Sequence, residues 1–464
     1  MSIKNHCDFS GKIRNMIRNF KSAVAFLESL IPYGQSQKYP GERGLLRQKY
    51  LLKLLGNPQD QYPCIHVTGT AGKGSTCYLI SSILKEAGYK VGLHVSPHLQ
   101  SITERAQINN ENISKKKFVE LVKLIAPAVR KVSKNPKFGS PTYFEVLVAL
   151  TFLGFLKEKV DLAVIEVGMG GKLDGTNVIK KPLISIIANV GLDHIKILGG
   201  TVEQIINDKK EIIKNGSTVI SGVWQTTVKK IIFDKCKSKK SRLLLLGRDF
   251  NYRFKRMDAT GEIFDFISKD KKYKNLKLGL LGLHQIGNAS LALMAVEQIK
   301  KAGFKIKEVD IRKALRKAFF AGRLEVIKKK PLLVFDGAHN EDKVEALINS
   351  FPKLFSYKKL IVVFALKKDK DLEKILPLII NIASQIIITR FTVGTDLGLN
   401  LSYPQEEIKQ MLETRFGFKN TEVYSDPQKA LARALSLQKK DDAILVTGSL
   451  YLVGQLKNII EKAI

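Results

Sequence analysis

The segment His66-Val67-Thr68-Gly69-Thr70-Ala71-Gly72-Lys73-Gly74-Ser75-Thr76 constrains this chain more than any other. It leaves a short apolar run, Cys64–Thr68, and enters a stretch with apolar residues at helical spacing, from about Ser75 to Ala87. Glycines there let backbone N–H groups converge on an anion, and a helix N-terminus adds favourable partial charge. A strand, a Gly-rich turn and a helix in this order read as a phosphate-binding loop, with Lys73 reaching the β- and γ-phosphates. The segment departs from the plain G-x-x-x-x-G-K-[ST] pattern. Val67 stands where the first glycine falls, and Gly74 separates Lys73 from the hydroxyl. The alternative is a Gly-rich turn that holds no ligand.

The same alternation continues along the chain. Val91–Val95, Leu162–Val167 and Leu183–Asn189 read as buried strands, and Lys115–Lys131 and Tyr143–Lys157 as helices. Residues 243–280 break the rhythm and read as short strands with turns, followed by helices near Ile286–Ala302 and Glu308–Ala318. After Ala321-Gly322-Arg323 a second series begins, with strands at Leu332–Phe335, Leu360–Phe364, Gln385–Thr389 and Ala443–Val446. Strands alternating with helices of this length predict an α/β fold with mostly parallel sheets. The expectation is a P-loop-type, doubly wound ATPase domain over residues 1–320, including an N-terminal extension. A smaller Rossmann-like α/β domain follows over 321–464, with the active site in the cleft between them.

Parallel α/β sheets put ligands at the carboxyl ends of their strands. Glu166 ends one apolar run, where a carboxylate suits Mg²⁺, a hard cation that takes oxygen ligands and substrate phosphates. The alternative for Glu166 is a structural carboxylate satisfied by a helix terminus or a lysine. His194, in Gly191-Leu192-Asp193-His194, and Ser96, before Pro97, end two further runs. In the second half Asp336 follows an apolar run and Arg323 precedes it, a pair able to clasp a nucleotide from the far side of the cleft. No Ser/His/Asp constellation, HExxH segment or EF-hand loop occurs. Phosphate, Mg²⁺ and a cleft point to ATP-driven chemistry.

Charge suggests something else. Lys and Arg number 77 against 43 Asp and Glu, a formal net charge of +34, which nominates nucleic acid as a partner. Yet the lysines are scattered, aromatic residues are only 8%, and no nucleic-acid-binding signature is present, so a lysine-biased surface is expected and no nucleic-acid partner. The four cysteines, Cys7, Cys64, Cys77 and Cys236, form no C-x-x-C pair, which excludes a disulfide scaffold and fits a reducing compartment. The N-terminus lacks the apolar core of a signal peptide, and no run approaches 18 apolar residues. A cytoplasmic protein that does not enter a membrane is expected.

Taken together, the segments resemble the Mur-ligase superfamily and, within it, the bifunctional dihydrofolate synthase/folylpolyglutamate synthases. The resemblance runs from about residue 45 to the C-terminus. It rests on Leu55-Gly56-Asn57-Pro58, the loop 69–76, Ser96-Pro97-His98-Leu99, Tyr143-Phe144-Glu145, EVGMGGKLDGTN at 166–177, Leu192-Asp193-His194, Leu283-His284-Gln285 with Asn288, Gly322-Arg323-Leu324-Glu325, DGAHN at 336–340, Asp369-Lys370-Asp371 and VTGSLYLV at 446–453. It implies a monomer that adds L-glutamate to dihydropteroate and to reduced folates through an acyl phosphate. Another Mur-type ligase, joining a different amino acid to a different carboxylate, is the alternative. By the resemblance Gly72, Lys73, Gly74 and Ser75 bind the phosphates of ATP, and Asn288, Arg323 and Asp336 contact the nucleotide. Ser96, Glu166 and His194 hold Mg²⁺, and Thr142, Tyr143, Phe144, Glu145, Leu173, Asp174 and Gly175 line the pteroate site. Lys209 falls where the family carries a lysine carbamylated by CO₂, which would hold a second Mg²⁺; the local text Asp208-Lys209-Lys210-Glu211 leaves Lys210 as a rival. Lys73, Glu166, His194 and Lys209 are thus the expected catalytic set. Ala71, Lys172 and Ala321 depart from the family's usual Asn, Arg and Pro.

Overall fold

The run Cys64–Thr68 is buried at every position and forms the central strand of the larger of two α/β sheets. A computed structural model describes residues 17–31, 41–395 and 398–463; Cys7 lies outside them. The first sheet comprises β1 (Cys64–Thr68), β2 (Val91–His94), β3 (Gln107–Ile108), β4 (Glu111–Asn112), β5 (Leu162–Glu166), β6 (Ile184–Ile187), β7 (Thr218–Ser221) and β8 (Arg242–Leu245). Its order is β4-β3-β2-β5-β1-β6-β7-β8. Strands β2 and β5 through β8 run parallel, and the two short edge strands are antiparallel. The inner strands β1, β5 and β6 are buried at every position and rich in Val, Ile and Leu, as strands covered on both faces are.

Helices α1 (Phe20–Glu28), α2 (Gly41–Leu54), α3 (Lys73–Glu86), α4 (Lys115–Ser133), α5 (Tyr143–Lys157), α6 (Ile195–Leu198), α7 (Val202–Lys209), α8 (Thr226–Ser238), α9 (Leu283–Lys301) and α10 (Glu308–Lys317) accompany this sheet. On one face α3, α9 and α10 share a core with the antiparallel strands β9 (Phe250–Asp258), β10 (Gly261–Ser268) and β11 (Lys272–Leu278). On the other, α1, α2, α4 and α5 share a core. Helix α5 is apolar all round (YFEVLVALTFLGFLK) because it is covered on every side. Within the N-terminal extension, α1 is packed, with Ala23 and Leu27 fully buried and Phe20 edge-on to Phe118 at 5.4 Å.

The second sheet has the order β12-β13-β19-β14-β15-β18: β12 (Glu325–Lys329), β13 (Leu332–Phe335), β14 (Leu360–Phe364), β15 (Gln385–Ile388), β18 (Thr421–Val423) and β19 (Ala443–Thr447). Only β12 is antiparallel. A hairpin, β16 (Thr392–Thr395) and β17 (Gly398–Leu401), stands apart. Helix α11 (Glu341–Leu354) follows β13, capped by Asn340, whose side chain accepts the Lys343 N–H. No helix among the described residues is long and apolar enough to cross a membrane.

Candidate active site

The loop after β1 turns on Gly72, whose φ of +78° is left-handed and which has no side chain to cap α3. The helix therefore opens at Lys73, two residues before the position expected from apolar spacing, and the N–H groups of its first turn remain open. The loop is pinned to the end of β6: Ala71 N–H donates to Asn189 Oδ1 (2.6 Å) and Thr70 N–H to the Asn189 carbonyl (3.0 Å). A Cβ on Gly72 would stand 2.2 Å from Asn288 Oδ1, so any larger residue there would displace the Asn288 side chain.

One cavity of about 440 Å³ gathers most of the expected residues. Gly72, Lys73, Gly74, Ser75, Ser96, Glu166, His194, Lys209 and Asn288 reach it from the first sheet's side, and Arg323 and Asp336 from the second. Lys73 and Lys209 both donate to the Gly69 carbonyl, at 3.0 and 3.1 Å. Lys209 is 3% exposed; burial first, then the Lys73 charge, pushes its ammonium down to about 7. Lys210 does not line the cavity and donates to Asn207.

Glu166 is buried and accepts the Ser96 N–H at 2.9 Å. Burial pushes its carboxyl up, against the pull of Lys73. His194 caps α6 in a left-handed conformation (φ +52°), and loss of solvent around the ring pushes it down to about 3, against the opposing Asp193, which leaves it neutral at pH 7. The Glu166 carboxylate and the Ser96 hydroxyl are hard oxygen donors of the kind Mg²⁺ takes, and Mg²⁺ keeps waters and phosphate oxygens in its shell instead of filling a protein cage. Such a cage is absent: no three His, Cys, Asp or Glu among the described residues stand close enough to hold a metal ion. The donor set fits Mg²⁺ bound together with a phosphate.

Other expected residues serve the framework as well. Both oxygens of Asp336 accept backbone N–H groups, from Leu324 and Ala338 at 2.8 Å each, and brace the junction between β12 and β13. Thr142 caps α5, and the buried Glu145 carboxylate takes two bonds of 2.7 Å from Arg47 of α2. Asp174 accepts N–H groups from Met169 and Thr176. Phe144 ties the two expected pteroate segments together: a Cβ on Gly168 would meet its ring at 2.5 Å and one on Gly175 at 3.6 Å. These segments, 142–145 and 173–175, lie outside the phosphate cavity but reach its rim at Gly168.

Sequence reasoning missed the clasp that joins the two halves. Asp193 Oδ1 accepts Lys370 Nζ at 2.5 Å, and Oδ2 accepts Asn340 Nδ2 at 3.0 Å. Burial works against this carboxylate's charge, but Lys343 and Lys370 hold it well below the usual range. Lys343 itself sits 2.9 Å from His339 Nε2 and is pushed by burial down to about 7. Asp193 and Lys370 are 177 residues apart, and no local pattern pairs them.

The Mur ligase middle domain matches residues 67–296, and the Mur ligase glutamate ligase domain matches residues 322–450. The dihydrofolate synthase/folylpolyglutamate synthase of Bacillus subtilis is 32% identical over 422 residues, covering 90% of this chain and 95% of its own. The chain belongs to the folylpolyglutamate synthase family of Mur ligases. Among other members, the folylpolyglutamate synthase of Lacticaseibacillus casei is 32% identical over 95% of this chain and 98% of its own. The Mycobacterium tuberculosis folylpolyglutamate synthase, solved in complex with ADP, superposes with a TM-score of 0.86 at 26% identity, covering 95% of this chain and 98% of that one. The described residues carry the family's fold: mixed α/β with parallel sheets in two domains.

Proposed function

We propose that this chain is an ATP-dependent carboxylate–amine ligase that adds L-glutamate to dihydropteroate, giving dihydrofolate, and to reduced folates, giving folylpolyglutamates. The observation that carries the proposal is the single cavity in which the phosphate loop faces Glu166, His194, Lys209 and Arg323. Family membership adds the substrates, since relatives are named for both activities. The two catalytic domains divide at residues 320/321 and act as a monomer in the cytoplasm.

In the reaction, the carboxylate of the folate substrate attacks the γ-phosphorus of ATP, ADP leaves, and an acyl phosphate results. The amine of L-glutamate then attacks the acyl carbon, inorganic phosphate leaves, and the amide bond forms. The chain's residues act by position and charge. The open N–H groups at Lys73–Ser75 and the Lys73 ammonium hold the phosphates in line. Arg323 brings a fixed cation from the second domain. Asn288, packed against Gly72, and Asp336 set the nucleotide's place. Thr142–Glu145 and Leu173–Gly175 hold the pteroate end so that its carboxylate reaches the rim at Gly168.

Ser96, Glu166 and His194 would hold one Mg²⁺, and Lys209 as its carbamate a second, supplying charge neutralisation around the transferring phosphoryl group. The neutral Lys209 amine favoured by burial is the form that captures CO₂. Its place in the cavity favours it over Lys210.

Purified protein with Mg·ATP, dihydropteroate and L-glutamate should release phosphate only when all three are present. Phosphate release that ignores either of the other substrates would refute the proposal. Lys73→Ala and Glu166→Ala should abolish amide formation while leaving the far-UV circular dichroism unchanged.

A further inference from the structure

The chain passes from the first domain to the second through residues 318–324, and this crossing is fastened on both sides. On the first, the Phe319 N–H donates to the Tyr78 hydroxyl of α3 (3.3 Å). On the second, the Gly322 N–H donates to the Glu325 carboxylate (2.8 Å), which also accepts Lys457 Nζ from the C-terminal helix, Leu450–Ala463. Between these anchors stands Phe320, half-buried. Its ring is stacked on Tyr78, with centroids 5.2 Å apart and planes inclined by 18°. It also reaches the phosphate loop, where a Cβ on Gly74 would stand 3.1 Å from Phe320 Cε1.

Arg323, three residues on, takes its pose from the same ring. Its guanidinium carbon stands over Phe320, 5.6 Å from the ring centroid. Hydrogen bonding does little to fix it. Among the described residues its one bond runs from Nη1 to the carbonyl of its own neighbour, Gly322 (3.0 Å). A guanidinium carries several donors in a planar fork, so most of them remain for a ligand in the cavity that Arg323 lines. A long side chain with open donors acts on a phosphoryl group only if its place is fixed beforehand, and planar stacking on an aromatic face supplies that.

We propose that Phe320 is a positioning residue for the ligase reaction: packed against Gly74 and Tyr78, and lying under Arg323, it holds that guanidinium in register with the phosphate loop. This rests on the reading of the loop and Arg323 as an ATP site, and not on the identity of the folate substrate. Arg323 leads into the second domain, so the ring contact is what ties its position to α3, the helix that the loop opens.

A double-mutant cycle separates this role from a merely structural one. The readout is the Kd of a non-hydrolysable ATP analogue with Mg²⁺, measured by isothermal titration calorimetry. Phe320→Leu removes the ring but keeps an apolar side chain. It should weaken binding roughly tenfold in the parent, the scale of a desolvated cation–π contact, and by less than about twofold in the Arg323→Met background. Phe320→Tyr should restore most of the affinity. Tyr78→Leu, which leaves Phe320 in place, should show the same dependence on Arg323 in smaller measure, and it carries the test if Phe320→Leu does not fold. Equal losses in the two backgrounds would overturn the proposal, as would binding by Phe320→Leu at the parent's Kd. A parent protein that does not bind the analogue removes the ATP reading and this proposal with it. Failure of the ligase assay with the cycle intact counts against the folate reading alone.

Discussion

Gly72 and Gly88 stand at opposite ends of α3, both with left-handed backbones, at φ +78° and +91°. An alanine at either position incurs the left-handed penalty of about 1–2 kcal/mol. Around Gly88 nothing lies within 4 Å of an added Cβ, so the cost ends there. At Gly72 the new methyl would stand 2.2 Å from Asn288 Oδ1, closer than any real Cβ contact, and Asn288 would have to leave its 2.9 Å bond to Gln285. That rearrangement adds about 1 kcal/mol, and it falls on the loop and on a residue assigned to the nucleotide. Gly88→Ala should therefore lower the unfolding midpoint with an unchanged ATP KM. Gly72→Ala should lower it somewhat further and raise the ATP KM at least tenfold, about 1.4 kcal/mol. Steady-state kinetics and urea unfolding of the two variants read this directly. Equal ATP KM values for the two would refute the assignment of the Gly72–Asn288 contact to the nucleotide site.

Lys209, pushed down to about 7, should lose carbamate as pH falls below that value, because only the neutral amine captures CO₂; activity at limiting bicarbonate should drop below pH 7 and recover on adding bicarbonate. Its stability effect has the opposite sign to a salt-bridged lysine: the folded state releases the proton first, so burial of Lys209 costs least above about pH 10 and most below 7, a slope Lys209→Met should remove from urea unfolding measured across that range. Arg47→Met, which strands the buried Glu145 carboxylate, should cost about 3–5 kcal/mol by chemical denaturation. Asp193→Asn should loosen the hold on Lys370 and Asn340, raising KM values for ATP and L-glutamate together and increasing protease cleavage between the domains.

Much of this was legible wherever local pattern and tertiary packing agree. The bounds expected for Cys64–Thr68, Tyr143–Lys157, Leu332–Phe335 and Leu360–Phe364 are those observed; each is a largely apolar run, and the first three are bounded by Gly, Pro or polar residues. The start of α3 was misplaced by two residues, since backbone conformation at Gly72, and not apolar spacing, decides it. The edge strands Gln107–Ile108 and Glu111–Asn112 are too short to carry a period. In the site, Lys73, Glu166 and His194 stand at strand ends or in a Gly-rich loop, positions that announce themselves in sequence. The pairing of Asp193 with Lys370, each in a motif of its own, and the place of Lys343 do not. They arise from the meeting of two sheets. The +34 charge, the oddest number in the sequence, finds its functional share in few groups, with Lys73, Lys209, Arg323 and Lys343 all facing one cavity.

The central claim is that the substrate carboxylate is activated by phosphoryl transfer, and one isotope measurement tests it. Dihydropteroate labelled with heavy oxygen in its carboxylate is turned over with ATP and L-glutamate, and the inorganic phosphate is analysed by mass spectrometry. The acyl-phosphate route predicts one labelled oxygen in each phosphate released. Phosphate that carries only solvent or ATP oxygen would contradict it.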